Sequence, residues 1–443
     1  MTPERFGPPL KAPARLFEEP APQQRTESQR DRDRILYSSA FLRLGHVTQV
    51  TAPEAGRVFH TRLTHSLKVA QVARRLAESS IKDTPALEIP LDPDAVEAAA
   101  LAHDLGHPPF GHIAEQELHR AASSAGGFEG NAQSFRIVTR LALRDGESED
   151  GTYRGLNLTW RVLDGLVKYP IVGETTYPAD SPVPKLGAYF SESEILGKVR
   201  ELAGRSPGER SPIADLMDWA DDITYAVHDV EDFFRAGVLP LWVLEPDSER
   251  LKEFVTFHAR RNAEADAEAV RSFIADLVNP ATSPFSVPND GSSRAQAALS
   301  QASSNYIGRY VAGTRIDVSD AERPTVSVDP ELRAEVNVLK SLVWFFFIED
   351  APLATVQHGQ RRMIRKLHAW HMQLVSNPSD WRHFPPRVRE WLQEASALGE
   401  ESERHMNRIV TDYIASSTEQ QVTSLYRRMG GYSDSSPFDG VAR

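Results

Sequence analysis

The sequence of 443 residues contains no cysteine. Disulfide bonds, thiolate nucleophiles and zinc sites with cysteine ligands are therefore excluded. The pattern GxxxxGK[ST] is also absent from the chain. Binding of phosphate groups by a P-loop is therefore not supported.

Long hydrophobic runs are missing as well. No stretch reaches about 18 uncharged apolar residues, so no membrane span is expected. The most apolar run, LVWFFFI at 342–348, is too short to cross a bilayer and is interpreted as a buried helix segment. The first residues do not show a basic segment followed by an apolar one, so we expect no secretory signal and a cytoplasmic location.

An excess of positive charge is absent too. The chain has 50 basic and 62 acidic residues, which gives a net charge of −12. This balance argues against a dedicated DNA-binding surface, and nucleic acid is not a required partner. It is compatible with a small anionic substrate, because a few local Lys and Arg residues with a divalent cation can bind a triphosphate inside an acidic protein.

The patterning predicts an all-α fold, since helical periodicity dominates and only short pieces such as 324–328 look extended. We expect a flexible N-terminal arm over 1–24, a catalytic core over 25–240 and a helical C-terminal region over 241–443. The Ser-, Pro- and Asn-rich segment 277–303 is expected to be a mobile loop.

Two segments of the core carry specific helix predictions. The apolar residues of 25–50 are expected to pack one helix, and 210–236 is expected to form another strong helix.

Histidines are concentrated near one end of the core. The chain reads RLTHS at 62–66 and AHDLGHPPFGHIAEQE at 102–117. A single histidine is more often a surface or core residue than a metal ligand. Here His103 and Asp104 are adjacent near the end of an Ala-rich helix, where a buried carboxylate would be costly unless paired or bound to a metal. Imidazole and carboxylate together suit a borderline or hard divalent metal.

These residues resemble the HD superfamily of metal-dependent phosphohydrolases. The strings HDLGHPPFGHIAE, FEGNAQSFR at 128–136 and ADDITYAVHDVED at 220–232 resemble more narrowly the bacterial deoxyguanosine triphosphate triphosphohydrolase family. The string QRDRDRILYSSAFLRLGHVTQV also fits, and RIVTDYIASST at 408–418 is a weaker match. The resemblance covers roughly 25–235 and implies an HD-domain helical bundle with additional C-terminal helices.

The resemblance implies a metal site made by His65, His103, Asp104 and Asp221. Asp221 is preferred over Asp222 because Asp221, Tyr225 and Asp229 recur at i, i+4 and i+8 and share one helix face. Without the other motifs this face would be interpreted as a solvated acidic surface. The expected metal is Mg, Mn or Co, with Fe, Ni and Zn as alternatives.

The same resemblance implies the catalytic and substrate-binding residues. His112 and Glu115 match the catalytic His and Glu and can share a face if a helix starts near Gly111. His107 is expected beside the metal and the phosphate path. The expected phosphate ligands are Arg62, Lys168 and Lys185, although each lysine taken alone would be interpreted as a surface residue.

The deoxyribose is expected to contact Gln49, Tyr225 and Asp229. Gln49 and Asp229 would bind the 3′-hydroxyl, and the ring of Tyr225 would occupy the place of a 2′-hydroxyl. Glu129, Asn131 and Arg136 are expected to shape the pocket wall.

The favoured hypothesis is a hydrolase that converts a dNTP, with dGTP preferred, into deoxynucleoside and tripolyphosphate. One alternative is an HD phosphodiesterase or nuclease that acts on single-stranded nucleic acid or a signalling nucleotide. A third hypothesis is a nucleotide-binding regulator without activity. The resemblance also implies a homo-oligomer, tetrameric or hexameric, with a possible dNTP activator at subunit interfaces.

Overall fold

A computed structural model describes residues 15–19, 24–49, 61–83, 91–143, 154–317, 324–347 and 351–431. In these ranges nearly all regular structure is helical, which confirms the all-α prediction. The helices are α1 Glu27–Leu36, α2 Ser39–Arg43, α3 Arg62–Asp83, α4 Pro93–Ala102, α5 His112–Ala121, α6 Gly130–Arg136, α7 Trp160–Leu166, α8 Ser193–Leu202, α9 Pro212–Thr224, α10 Val230–Arg235, α11 Glu249–Arg261, α12 Ala267–Leu277, α13 Ser293–Ala312, α14 Pro330–Phe347, α15 Ala351–Val375, α16 Pro386–Ser396, α17 Ser402–Ala415 and α18 Glu419–Met429. The strands β1 Thr314–Asp317 and β2 Thr325–Val328 form an antiparallel pair in which Thr314 lies opposite Val328.

The centre of the fold is the Ala-rich helix α4, which packs against α3, α7 and α9. Its alanines are fully buried, and such small side chains allow neighbouring helices to approach closely. Gly165 of α7 shows how tight this contact is, because a Cβ there would lie 2.3 Å from Ile213 and 3.3 Å from Ala99. The close packing brings the ends of α3, α4 and α9 together.

One expectation about the first part of the chain is wrong. Residues 25–50 do not form one helix, because α1 ends at Leu36 and Ser38 caps α2 by accepting a hydrogen bond from the Phe41 amide at 3.1 Å. Of the expected arm over 1–24, the structure describes 15–19 and position 24. In this part the Arg15 side chain is 4% exposed and pairs with Asp31 at 2.5 Å.

The expected mobile loop over 277–303 is also wrong in its second half. Helix α13 begins at Ser293, where Ser292 accepts a hydrogen bond from the Ala295 amide. Leu299 and Ser303 are buried, and the Ser303 hydroxyl donates to Glu231 at 2.6 Å. Alanines and a buried face therefore outweigh the loop-like composition of this segment.

The C-terminal helices form a second core that packs on α5. Ile364, Leu367 and Val410 share this apolar cluster with Ala114 and Leu118 of α5. Leu342 and Val343 of α14 are buried, as expected for the apolar run, and Ile348 lies outside the described residues. Among the described helices, none is both long and apolar enough to span a membrane.

Polar groups also join this second core to the rest. Arg365 of α15 forms a forked ion pair with Glu117 of α5, and Arg136 of α6 lies between Glu192 and Asp412 of α17. Because Arg136 and Asp412 are buried, their contact fixes the position of α17 against α6.

We expect Gly106→Ala to destabilise the fold strongly. A Cβ at Gly106 would lie 2.1 Å from the Gly130 carbonyl oxygen and 2.3 Å from the Ser134 amide nitrogen, both backbone atoms. The free energy of unfolding should fall by about 2–4 kcal/mol, because overpacking a core is destabilising. The matched control is Gly197→Ala on the exposed face of α8, where nothing lies within 4 Å. Equal effects of both changes in denaturant titrations would contradict the packing described here.

Candidate active site and metal centre

Three side chains from three helices converge in one place. His65 of α3, His103 after α4 and Asp221 of α9 offer ligand atoms that all lie within 4.8 Å of one another. His65 Nε2 lies 3.0 Å and His103 Nε2 lies 3.7 Å from Asp221 Oδ1. Atoms that share a small divalent cation have separations of this size, since each ligand atom lies about 2 Å from the metal.

His103 is oriented as a metal ligand requires. Its Nδ1 lies 2.6 Å from the carbonyl oxygen of Ala100, which fixes the ring and makes Nε2 the free acceptor nitrogen. That Nε2 is buried and has no hydrogen-bond partner among the described residues. A buried nitrogen without a partner is costly unless another group binds it. The donor set therefore fits a divalent metal.

Asp104 lies beside this cluster and has other partners. Its Oδ1 lies 3.4 Å from His103 Nε2 and 2.9 Å from His107 Nδ1, while Oδ2 accepts from Arg62 Nη1 at 2.7 Å. Burial raises the pKa of Asp104, but the charges of His107, Arg62 and His103 outweigh it and hold the pKa well below its ordinary value. The carboxylate is therefore ionised next to the three ligand atoms.

The two neighbouring aspartates of α9 have different surroundings. Asp221 faces the histidines, whereas Asp222 Oδ1 pairs with Lys340 Nζ at 2.6 Å. Burial raises the pKa of Asp221, but the hydrogen bond with His65 and the charge of His103 bring it below its ordinary value. The helical spacing that favoured Asp221 thus agrees with the side of α9 that faces the cluster.

Glu115 and His112 form a pair on the first turn of α5. His112 Nδ1 lies 2.8 Å from Glu115 Oε2, and Glu115 Oε1 accepts from the Gly130 amide at 2.9 Å. Burial raises the pKa of Glu115, but the bond with His112 and the charge of His107 lower it to about 2. The ring of His107 lies 5.8 Å from that of His112, so His107 connects this pair to Asp104.

The start of α5 explains how His112 and Glu115 come to share a face. Gly111 precedes the helix at φ +56° and Phe110 has φ +68°. A positive φ is uncommon for a residue with a side chain, so this turn is strained and needs support from its surroundings. The helix begins at His112, as the three-residue spacing required.

The expected phosphate ligands are placed at different distances from the cluster. Lys168 lies closest, with Nζ 2.5 Å from Asp218 and 3.7 Å from Asp221 Oδ2. Burial lowers the pKa of Lys168, but these two carboxylates raise it above its ordinary value, so the side chain is cationic. Arg62 pairs with Asp104, and the exposed Lys185 lies over the ring of Tyr169.

Two of the expected sugar contacts have unsatisfied polar atoms. Gln49 Oε1 and Asp229 Oδ2 are buried without a hydrogen-bond partner among the described residues. Burial and the charge of Asp232 raise the pKa of Asp229 well above its ordinary value. Tyr225 and Asp229 bound a short π-helical turn, Tyr225–Asp229, that continues α9 toward α10. Such π turns are frequent at functional sites.

The expected wall residues have structural roles in the helix behind Glu115. Glu129 caps α6 by accepting from the Ala132 amide at 2.8 Å, and Asn131 donates to Glu129 at 2.7 Å. Arg136 is engaged with Glu192 and Asp412, as described above. These residues position α6, and through the Gly130 amide they position Glu115.

Two further residues around the site could not be identified from the sequence. Arg43 Nη2 donates to the carbonyl oxygens of Leu105 and His107, each at 2.8 Å. Glu419, from the C-terminal region, accepts from the amides of Thr48 and Phe110. No local pattern marks either side chain, because their partners are far away in the chain.

A cluster of histidines and aspartates at the meeting of three helices defines the class of HD-domain proteins. The HD domain model matches residues 62–225, and the model of the phosphohydrolase-associated domain matches residues 326–428. The chain belongs to the family of deoxyguanosinetriphosphate triphosphohydrolase-like proteins, hydrolases of the HD class, which confirms the resemblance.

Curated proteins with that name are similar over nearly their whole length. The protein from Streptomyces coelicolor is 38% identical, with 92% of this chain and 93% of the relative covered. The protein from Corynebacterium efficiens is 36% identical, with 92% of each chain covered. The protein from Brucella ovis is 34% identical, with 94% of this chain and 92% of the relative covered.

We expect Asp221→Asn to abolish metal uptake while Asp222→Asn leaves it intact. Asp221 Oδ1 lies among the ligand nitrogens, and Asp222 is paired with Lys340. The affinity for Mn²⁺, Mg²⁺ and Co²⁺ should fall about 100-fold or more in the first variant, because an amide is a weaker ligand than a carboxylate. Titration calorimetry and elemental analysis measure this. Equal loss in both variants would contradict the placement.

Glu129 predicts a specific pH dependence of stability. Burial and then the charge of Glu115 raise its pKa from 4.5 to about 7. The folded protein therefore binds a proton that the unfolded chain releases, so wild-type stability is lost as the pH rises from 4.5 to 7. Glu129→Gln does not titrate and its amide oxygen can still accept from Ala132.

As the pH rises across this range, the free energy of unfolding of Glu129→Gln should therefore increase relative to that of the wild type. The gain should be on the order of 3 kcal/mol. Urea titrations at several pH values measure it, with the exposed Glu194→Gln of α8 as control. A constant difference between Glu129→Gln and wild type would show that Glu129 is ionised throughout.

Proposed function

We propose that this protein hydrolyses a deoxynucleoside triphosphate, with dGTP favoured, to the deoxynucleoside and tripolyphosphate. The observation that carries the proposal is that two clusters of side chains are joined through intermediate residues. The His65, His103 and Asp221 cluster is connected through Asp104 and His107 to the Glu115 and His112 pair. The names of the curated relatives support the same substrate class.

The metal would be held by His65, His103, Asp104 and Asp221. For Asp104 this requires its Oδ1, which already lies 3.4 Å from His103 Nε2, while Oδ2 keeps the bond to Arg62. When bound, a divalent cation offsets the charge of the triphosphate and polarises the α-phosphoryl group. Mg, Mn and Co suit this mixed set of nitrogen and oxygen donors.

His112 would transfer the proton in this reaction. Its Nδ1 is engaged with the ionised Glu115, an arrangement in which Nδ1 donates and Nε2 is the nitrogen that can take up a proton. The side chain of His112 is 66% exposed, which leaves Nε2 accessible to a substrate and water. Water adds to the α-phosphorus and gives its proton to Nε2, the bond to the 5′-oxygen breaks, and that oxygen takes the proton from the imidazolium.

Lys168, Arg62 and Lys185 would bind the phosphates. Lys168 is a cation that two carboxylates hold within 3.7 Å, and a triphosphate could replace Asp218 as its partner. Arg62 would keep Asp104 in place while offering its remaining N–H groups. Lys185 is exposed, with its ammonium nitrogen 5.7 Å from the centre of the Tyr169 ring, and this ammonium could turn toward the distal phosphates.

Deoxyribose selection would depend on Gln49, Tyr225 and Asp229. A 3′-hydroxyl group can donate its one hydrogen to the unpaired Gln49 Oε1. Its oxygen can accept from Asp229 Oδ2 when that carboxyl is protonated, the form that burial favours. The ring of Tyr225 would then crowd a 2′-hydroxyl and leave it without a partner, which disfavours ribonucleotides.

The test is analysis of the products formed from each dNTP with Mg²⁺, Mn²⁺ or Co²⁺. We expect deoxyguanosine and tripolyphosphate in equal amounts from dGTP. Glu115→Gln should lower kcat about 100-fold or more, because it removes the charge that orients His112. Gln116→Ala, exposed on the same helix, is the matched control.

Deoxynucleoside monophosphate as product, or metal-dependent cleavage of single-stranded nucleic acid in place of dNTP, would reject the proposal. Assays with pairs of dNTPs test the proposed activator. Sedimentation with and without nucleotide tests the proposed tetramer or hexamer.

A further inference from the structure

A carboxylate from the C-terminal region contacts both segments that lead into the proposed site. Glu419 Oε1 accepts from the amide of Thr48 at 2.9 Å and from the amide of Phe110 at 3.1 Å. Glu419 Oε2 accepts from the Thr48 hydroxyl at 2.6 Å. One side chain therefore ties together the segment that ends in Thr48 and Gln49 and the loop that leads into α5.

Glu419 is held in place by the start of its own helix. Thr418 caps α18 by accepting from the Gln421 amide at 3.1 Å, and the Gln421 side chain accepts in return from the Thr418 amide at 2.8 Å. This capping box fixes the first turn, which begins with Glu419.

Arg43 ties Ser417, two residues before Glu419, to the same loop. Arg43 Nη1 donates to the carbonyl oxygen of Ser417 at 3.2 Å, and its Nη2 holds Leu105 and His107. The segment 417–419 is therefore bound to the loop before α5 through two independent side chains.

Both partners of Glu419 are next to residues of the proposed chemistry. Thr48 precedes Gln49, the proposed contact to the 3′-hydroxyl, and pairs with Thr61 just before α3. Phe110 occupies the strained turn, at φ +68°, two residues before His112. A strained conformation persists only where surrounding contacts enforce it, and the Phe110 amide has Glu419 as its acceptor.

We propose that Glu419 is a positioning residue that sets Gln49 and His112 at the correct separation for the same substrate. It touches neither substrate nor metal ligands and acts through Thr48 and Phe110. The proposal rests on the proposed function for the roles of Gln49 and His112. The bridging contacts themselves do not depend on it.

The test compares Glu419→Ala, Glu419→Gln and Gln420→Ala. The alanine variant removes all three acceptor contacts. The glutamine variant keeps the bridge, because its amide oxygen can accept from both backbone amides and its amino group can donate to the Thr48 hydroxyl oxygen. Gln420 is exposed on the same turn and serves as the matched control.

The first readout is hydrogen exchange of the backbone segments 44–49 and 105–112, which needs no turnover. In Glu419→Ala we expect exchange in both segments to be about tenfold faster, the effect of losing a hydrogen bond. Glu419→Gln and Gln420→Ala should exchange like wild type. Unchanged exchange in Glu419→Ala would overturn the bridge.

The second readout is kinetic. Glu419→Ala should lower kcat about tenfold or more with metal content unchanged, because small displacements of reacting groups are costly. It should also reduce the preference for dGTP over 2′,3′-dideoxyGTP, which lacks the 3′-hydroxyl, since Gln49 is displaced. Glu419→Gln should keep both values within about threefold of wild type. A merely structural loss would not change the preference between two substrates.

Several outcomes separate this inference from the proposed function. If the wild type makes no tripolyphosphate, the proposed function fails, and the exchange data alone decide on the bridge. If wild type is active and Glu419→Ala behaves like Gln420→Ala, the inference fails by itself. An inactive Glu419→Gln with normal exchange would show that the charge, and not the position, matters.

Thr48→Val covers the case in which Glu419→Ala does not fold. It removes one hydroxyl contact and keeps the backbone contacts, so a smaller loss of the same substrate preference is expected. No change in that preference would also overturn the inference.

Discussion

The placement of two carboxylates among histidines is the constraint on which the site depends. Asp104 is 3% exposed, and the partly buried Asp221 lies against His65 and His103. Negative charge in such a place requires compensating partners, which Arg62, His107 and Lys168 provide in this structure. His103 Nε2, which has no hydrogen-bond partner among the described residues, is the atom that a cation could bind. The packing of the Ala-rich helix α4 against α3 and α9 places these charges so close together.

The C-terminal region completes the half of the candidate site that carries Glu115 and His112. α5 packs its apolar face on the second core, and Phe110 packs against the same core. Asp412 binds Arg136 and Gln133 of α6, whose first amide, that of Gly130, holds Glu115. The HD core supplies the histidine and aspartate cluster, whereas the geometry of Glu115 and His112 depends on contacts that cross to α17 and α18. An isolated core would therefore keep the geometry of that cluster better than the geometry of the Glu115 and His112 pair.

Much of the local structure could be predicted from the sequence because its causes are local. Helical spacing favoured Asp221 over Asp222 as the residue on the face of Tyr225 and Asp229. The three-residue spacing of His112 and Glu115 puts them on one face because a helix begins directly after Gly111. Composition gave a wrong prediction for the start of α13, because the buried face of this helix outweighs its loop-like residues. Glu419 could not be predicted, because its role comes from Thr48 and Phe110, which are 371 and 309 positions away. The pairing of Lys168 with Asp218 is equally invisible before the fold is known.

Unpaired polar atoms give the clearest link between the fold and selectivity. Most buried polar groups in proteins have partners, since each one left without costs about 1–3 kcal/mol. Here such atoms include His103 Nε2, Gln49 Oε1 and Asp229 Oδ2, each on a residue that the family resemblance places at metal or sugar. Their desolvation is a cost that the folded protein bears before any ligand binds. Under the proposed function, a cation at His103 and a hydroxyl group that donates to Gln49 and accepts from the protonated Asp229 would recover that cost. A ligand that lacks the hydroxyl would not, so these atoms would favour one class of substrate.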